Sequence, residues 1–126
     1  MKHALAIVLL LAALSAPAWA KEAVILTEAD NGKPRTIAAG SLIEVRLPGS
    51  QEAGPRWINR SPLGQVRLAT ADIRGVVEDG EVSATKMTEV FYFEAVMTGE
   101  TALSLDYITG WDEEPLDRYS VPLVVE

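Results

Sequence analysis

The sequence predicts an all-β protein, an antiparallel β-sandwich of seven to eight strands. Three observations carry this expectation. Apolar and polar residues alternate along several short segments, the pattern of strands with one buried face. Clusters of Gly, Pro, Asn and Asp separate those segments. No stretch beyond residue 20 keeps a 3.6-residue apolar period over ten residues.

Residues 23–27 are short and rich in β-formers, and residues 30–34 form a turn in which Asn31-Gly32 favours positive φ. Residues 36–38 make a short strand that ends at Gly40. Residues 41–47 alternate, with Leu42 or Ile43, Val45 and Leu47 apolar and Glu44 and Arg46 polar, until Pro48-Gly49 stops them. A loop follows, and Trp57-Ile58 opens the next strand, which Asn59 to Gly64 breaks. Residues 65–69 alternate again with Val66 and Leu68 inward, residues 75–77 are a short strand, and residues 78–81 read as a turn. Residues 82–88 are polar and carry no clear pattern.

Residues 88–97 give the strongest strand signal. Phe91, Phe93, Ala95 and Met97 are expected on the core face, with Val90, Tyr92, Glu94 and Val96 on the other. A tight connection at 98–100 leads to residues 101–108, where Leu103, Leu105 and Tyr107 share a side. Residues 109–116 are an acidic loop. Residues 119–125 form the last strand, in which Pro122, lacking an N–H, belongs at an edge or a bulge.

The first twenty residues stand apart. Lys2 and His3 precede an unbroken apolar run from Ala4 to Leu14, and Ala18-Trp19-Ala20 has the small-x-small form of a signal-peptidase site. The run is shorter than the roughly 18–20 residues a spanning helix requires. Residues 1–20 are therefore expected to be a cleaved signal peptide, with residues 21–126 as one domain in the periplasm or outside the cell. Such a domain is large enough to bury a core without disulfides, and the chain has no cysteine. Loss of Lys2 takes the net charge from −7 to −8, which argues against nucleic acid and anionic membranes.

The only histidine, His3, leaves with the signal. Catalysis by Ser-His-Asp or Cys-His is then impossible, and so are zinc and copper sites of the usual ligand types. Asp112, Glu113, Glu114 and Asp117 are oxygen-rich enough to suggest calcium, but their spacing fits no known loop motif and solvated carboxylates are the simpler reading. Neither an enzyme nor a cofactor or metal is expected.

Two segments about fifty residues apart point elsewhere. Gly40 to Pro48 runs into a loop with Gly54 and Trp57; Gly99 to Ile108 runs into a loop with Gly110 and Trp111. Brought to one end of a sandwich, these loops form a recognition surface. Trp57 is expected in the core. Trp111 is a candidate partner anchor, the alternative being an indole folded back on the sandwich edge. Tyr107, at the strand–loop junction, either supports Trp111 or caps the core. Lys86 is expected to pair with Glu89 or to stand in solvent.

With these elements placed, the chain resembles the chagasin-type inhibitors of cysteine peptidases, from about Asn31 to the C-terminus. The resemblance implies an immunoglobulin-like fold and three loops at one end that wedge into the cleft of papain-like peptidases. The family's first loop reads Asn-Pro-Thr-Thr-Gly with a Trp three residues on. Here the stretch is Ser50, Gln51, Glu52, Ala53 and Gly54, followed by Trp57, so only Gly54 and Trp57 keep the pattern. The second loop is usually glycine-rich; the matching Ala84, Thr85, Lys86 and Met87 contain no glycine. The third follows a Tyr and reads Arg-Pro-Trp after one residue; Tyr107 and Trp111 are in place, with Thr109 and Gly110 replacing Arg-Pro. By resemblance, residues 49–55 would lie nearest the catalytic thiol, with residues 81–88 and 108–116 on the cleft walls.

The implied function is reversible, non-covalent inhibition of a papain-like cysteine peptidase by a monomeric exported protein. The alternative is a non-inhibitory protein-interaction domain on the same fold, using the loop end or an exposed strand edge.

Overall fold

The computed structural model describes residues 23–51 and 54–126. The expected signal peptide, including His3, and the loop positions Glu52 and Ala53 lie outside the described residues. The strands are β1 (Ala23–Leu26), β2 (Arg35–Ile37), β3 (Leu42–Ser50), β4 (Arg56–Asn59), β5 (Val66–Glu78), β6 (Glu81–Ala95), β7 (Gly99–Ile108) and β8 (Asp117–Val125). Glu28–Asp30 is one 3-10 turn, capped by Thr27, whose hydroxyl accepts from the Ala29 N–H at 3.3 Å, and by Asp30, whose carboxylate accepts from the Thr27 N–H at 2.8 Å. No helix among the described residues is long and apolar enough to cross a membrane.

Two four-stranded sheets face each other, in the orders β1-β3-β6-β5 and β2-β8-β7-β4. The sandwich is all-β as expected, but the sheets are mixed. β1 pairs with β3 in parallel, and β2 pairs with β8 in parallel. The N-terminal segment thus crosses from the edge of one sheet to the edge of the other.

The core follows the alternation. Ile43, Val45 and Leu47 of β3 and Phe91, Phe93 and Ala95 of β6 meet Leu103 and Leu105 of β7 and Val121, Leu123 and Val125 of β8. Burying one such aliphatic or aromatic side chain contributes about 1.5–3 kcal/mol. Tyr119 is buried as well, and its hydroxyl donates to the Thr27 carbonyl at 2.9 Å, so a strand of one sheet is tied to the chain leaving the other.

Three expectations change. Met97 is exposed, because β6 ends at Ala95 and the chain turns there, with the Val96 and Met97 N–H groups donating to the Gln65 carbonyl. Val90, expected outward, is fully buried; Arg74 of β5 reaches over β6 to Glu44 of β3 at 3.8 Å and also bonds Tyr92, which roofs that face. Pro122 sits in a strand with neighbours on both sides. Ser120 turns its N–H and C=O toward Asn31 and Gly32, so Pro122, two residues on, also points its nitrogen away from β7. Pairing with β2 starts only at Leu123, so the missing donor breaks no ladder bond.

Candidate functional site

Strand direction gathers three connections at one end. β3, β5 and β7 run toward that end, and β4, β6 and β8 return from it. Ser50 pairs with Lys86, and Arg56 pairs with Ile108. The connection from β3 to β4 therefore leaves beside β6, at Ser50, and returns beside the end of β7, at Arg56, where residues 109–116 begin.

Several bonds fix the first segment. The Gln51 N–H donates to the Thr85 carbonyl at 2.9 Å, and its side-chain amide makes longer contacts with the Ser83 and Lys86 carbonyls at 3.4 and 3.5 Å. Arg56 Nη1 donates to the carbonyls of Ser50 at 3.2 Å and Pro55 at 2.8 Å, bridging the two ends. Gly54 adopts φ +133°, a conformation that side chains disfavour.

Trp57 is in the core, 6% exposed, and its indole N–H donates to the Pro48 carbonyl at 2.9 Å. Tyr107 packs on it, with ring centroids 4.9 Å apart and planes tilted by 35°. Tyr107 is therefore a neighbour of Trp57 at the loop root. Burial raises its phenol above the ordinary range, the nearby Glu89 adds to this, and Arg56 opposes it.

The third segment presents Trp111. Its indole is 72% exposed, and the Arg60 guanidinium stands 5.7 Å from the ring centroid, within cation–π range. The Glu113 N–H donates to Gly110, and the Leu116 N–H closes the loop onto the Tyr107 carbonyl at 2.7 Å. A shallow depression of about 260 Å³ between Gly54 and Arg56 on one side and Gly110 and Trp111 on the other joins this segment to the first. Asp112, Glu113 and Glu114 are exposed beside it, and no metal-holding group of acidic side chains occurs among the described residues.

The second segment differs from expectation. Thr85, Lys86 and Met87 are strand residues of β6, and Met87 is buried. The connection is a long β5–β6 hairpin whose tip is Asp79-Gly80. Both residues have positive φ, 51° and 83°, as a type I′ turn demands. From the Ser50 level to Glu81 the ribbon runs five residues, or roughly 16 Å at strand rise. Val77 and Val82 are paired near its tip and are 66% and 67% exposed. Lys86 pairs with Glu78 at 3.5 Å rather than with Glu89.

Glu89 is the residue that sequence reasoning missed. Its side chain points between the sheets, 5% exposed, and both carboxylate oxygens accept from the Trp57 N–H at 3.3 and 3.4 Å. Burial pushes the Glu89 carboxyl pKa above its ordinary range; the Trp57 bond and the Arg56 charge oppose that shift. The signal was its parity: Glu89 falls on the same face as Phe91 and Phe93.

Comparison with known proteins agrees with this architecture. Residues 36–123 match the family described as Chagasin family peptidase inhibitor I42. Chagasin of Trypanosoma cruzi is 28% identical over 91 residues, covering 68% of this chain and 81% of chagasin. Among solved structures, a cysteine protease inhibitor from Entamoeba histolytica superposes with a TM-score of 0.72 at 23% identity, over 82% of this chain and 96% of its own. Amebosin superposes with a TM-score of 0.68 at 23% identity, over 83% and 99%. A family match over more than half of the sequence, on a sandwich of the same fold, settles the assignment: the chain belongs to the chagasin family of peptidase inhibitors and is not an enzyme.

Proposed function

We propose that this chain is an exported, reversible inhibitor of papain-like cysteine peptidases that acts by inserting residues 51–55, the β5–β6 hairpin and residues 109–116 into the active-site cleft. The observation that carries this reading is the convergence of the three connections at one end, with Trp111 exposed among them. Export is inferred from residues 1–20. By the family resemblance, the first segment would approach the catalytic thiol; the hairpin and the Trp111 loop would take the two walls. The chain's part in the mechanism is geometric. Its bonded loop roots lower the ordering cost of association, and the indole supplies apolar contact area. No covalent step is required.

Titration of the purified protein against papain and a cathepsin L-like peptidase tests this. Tight inhibition that is reversed by dilution is expected. Inhibition constants no better than roughly millimolar would overturn it.

A second reading, a non-inhibitory interaction domain, draws on β5, a 13-residue strand at the edge of its sheet. Partner capture that persists in Trp111→Ala would favour the edge.

A further inference from the structure

We propose that Glu89 is the positioning residue of the first loop: its buried carboxylate sets the register of both loop roots, and fit to a peptidase depends on it. This rests on the inhibitor reading above. Glu89 is only 5% exposed and lies beneath the loop roots, so its effect passes through the segments it orders.

The geometry is specific. On the outgoing side, β3 passes so close that a methyl group built on Gly49 would lie 2.9 Å from Glu89 Oε2. On the returning side, the same carboxylate accepts from the Trp57 N–H. The Trp57 indole then reaches back to Pro48, one residue before Gly49. Arg56, adjacent to Trp57, feels the carboxylate charge while its own guanidinium holds Ser50 and Pro55. Both ends of residues 51–55 therefore meet at one acidic group. A buried carboxylate is a costly way to bond one amide, because an apolar residue there would avoid desolvation. Its presence fits a role in fixing a conformation better than a role in raising stability.

The group is also placed to take up a proton. It lies at the floor of an open cleft of about 460 Å³ between β4 and β5. The ionisable groups facing it are Arg56 from β4, Asp72 from β5 and Tyr107 from β7; β3 offers only backbone at Gly49. Protonation removes the attraction to Arg56 and weakens a charge-assisted bond to Trp57.

The test compares wild type with Glu89→Gln, which keeps the shape and one acceptor but not the charge. At neutral pH the inhibition constant should rise about tenfold, the scale of losing a charged hydrogen-bond partner. The variant's thermal midpoint should not fall, because it buries no charge. As pH is lowered, the wild-type-to-variant ratio of inhibition constants should approach one while the peptidase's own titration cancels. Gly49→Ala, which crowds the carboxylate and leaves its charge intact, should weaken inhibition in the same direction. Equal inhibition constants at neutral pH, or a pH-independent ratio with a lowered midpoint, would overturn the proposal in favour of a purely structural glutamate. If wild type inhibits no papain-like peptidase, the inhibitor reading fails separately. Amide exchange of Trp57 then decides: faster exchange in Glu89→Gln supports loop positioning, and unchanged exchange refutes it.

Discussion

Trp57 and Tyr107 stack across the β4–β7 pair with their ring centroids 4.9 Å apart, and each stands at the root of a different loop. Trp57 follows residues 51–55, and Tyr107 precedes residues 109–116. The two loops therefore share one aromatic foundation. The indole bond to Pro48 ties that foundation to β3.

Trp57→Phe separates these contributions. Phenylalanine keeps ring stacking but leaves the Pro48 carbonyl without its donor. Chemical denaturation should show a loss of about 1–2 kcal/mol, the cost of an unsatisfied buried acceptor. A smaller change would mean that water reaches that carbonyl.

Trp111→Ala should behave in the opposite way. An indole this exposed adds little to folding, so stability should move by no more than about 0.5 kcal/mol. Inhibition should weaken by more than about tenfold, as for an interface anchor. Arg60→Ala should give a weaker version, a few-fold, by freeing the ring from a contact worth about 0.5–1 kcal/mol. Parallel inhibition and unfolding titrations read both effects.

The hairpin arm makes a third prediction. Replacing the exposed pair Val77 and Val82 with serine should leave the thermal midpoint nearly unchanged. Inhibition of peptidases with a deep cleft wall should fall several-fold. Indifference across a peptidase panel would remove the arm from the contact surface.

Tyr119→Phe reports on the tie between the sheets. Loss of the hydroxyl bond to Thr27 should cost about 1 kcal/mol near neutral pH. Burial raises the Tyr119 phenol far above 10.0, with Asp30 adding to the shift and Arg35 opposing it. The stability this gives is fully present below 10.0 and is lost as pH rises through the raised value. Wild type should therefore lose stability in strong alkali, and its advantage over the variant should shrink there. Thermal unfolding of both proteins across alkaline pH measures the difference.

Much of the sandwich was legible. Leu103 and Leu105, or Phe91 and Phe93, declare their buried face by alternation alone, and Trp111 stands out because glycine and carboxylates surround it. Residues 81–87 were not legible as strand. Glu81, Ser83 and Thr85 are exposed or half-exposed, and so are Val82, Ala84 and Lys86. A ribbon wet on both faces has no amphipathic pattern to read. Its one signal is the Asp79-Gly80 dipeptide, which marks a hairpin tip. The parallel pairings were hidden for another reason. Local periodicity says which residues face inward and nothing about which distant strand lies alongside.

Those pairings constrain how the protein is made. Arg35, Thr36 and Ile37 have their ladder partners at Leu123, Val124 and Val125, nearly ninety residues away, so β2 can join its sheet only after β8 is in place. Such long separations slow folding. Until β8 docks between β2 and β7 the second layer stays open, and a chain without residues 117–125 would expose the unpaired edge of β7.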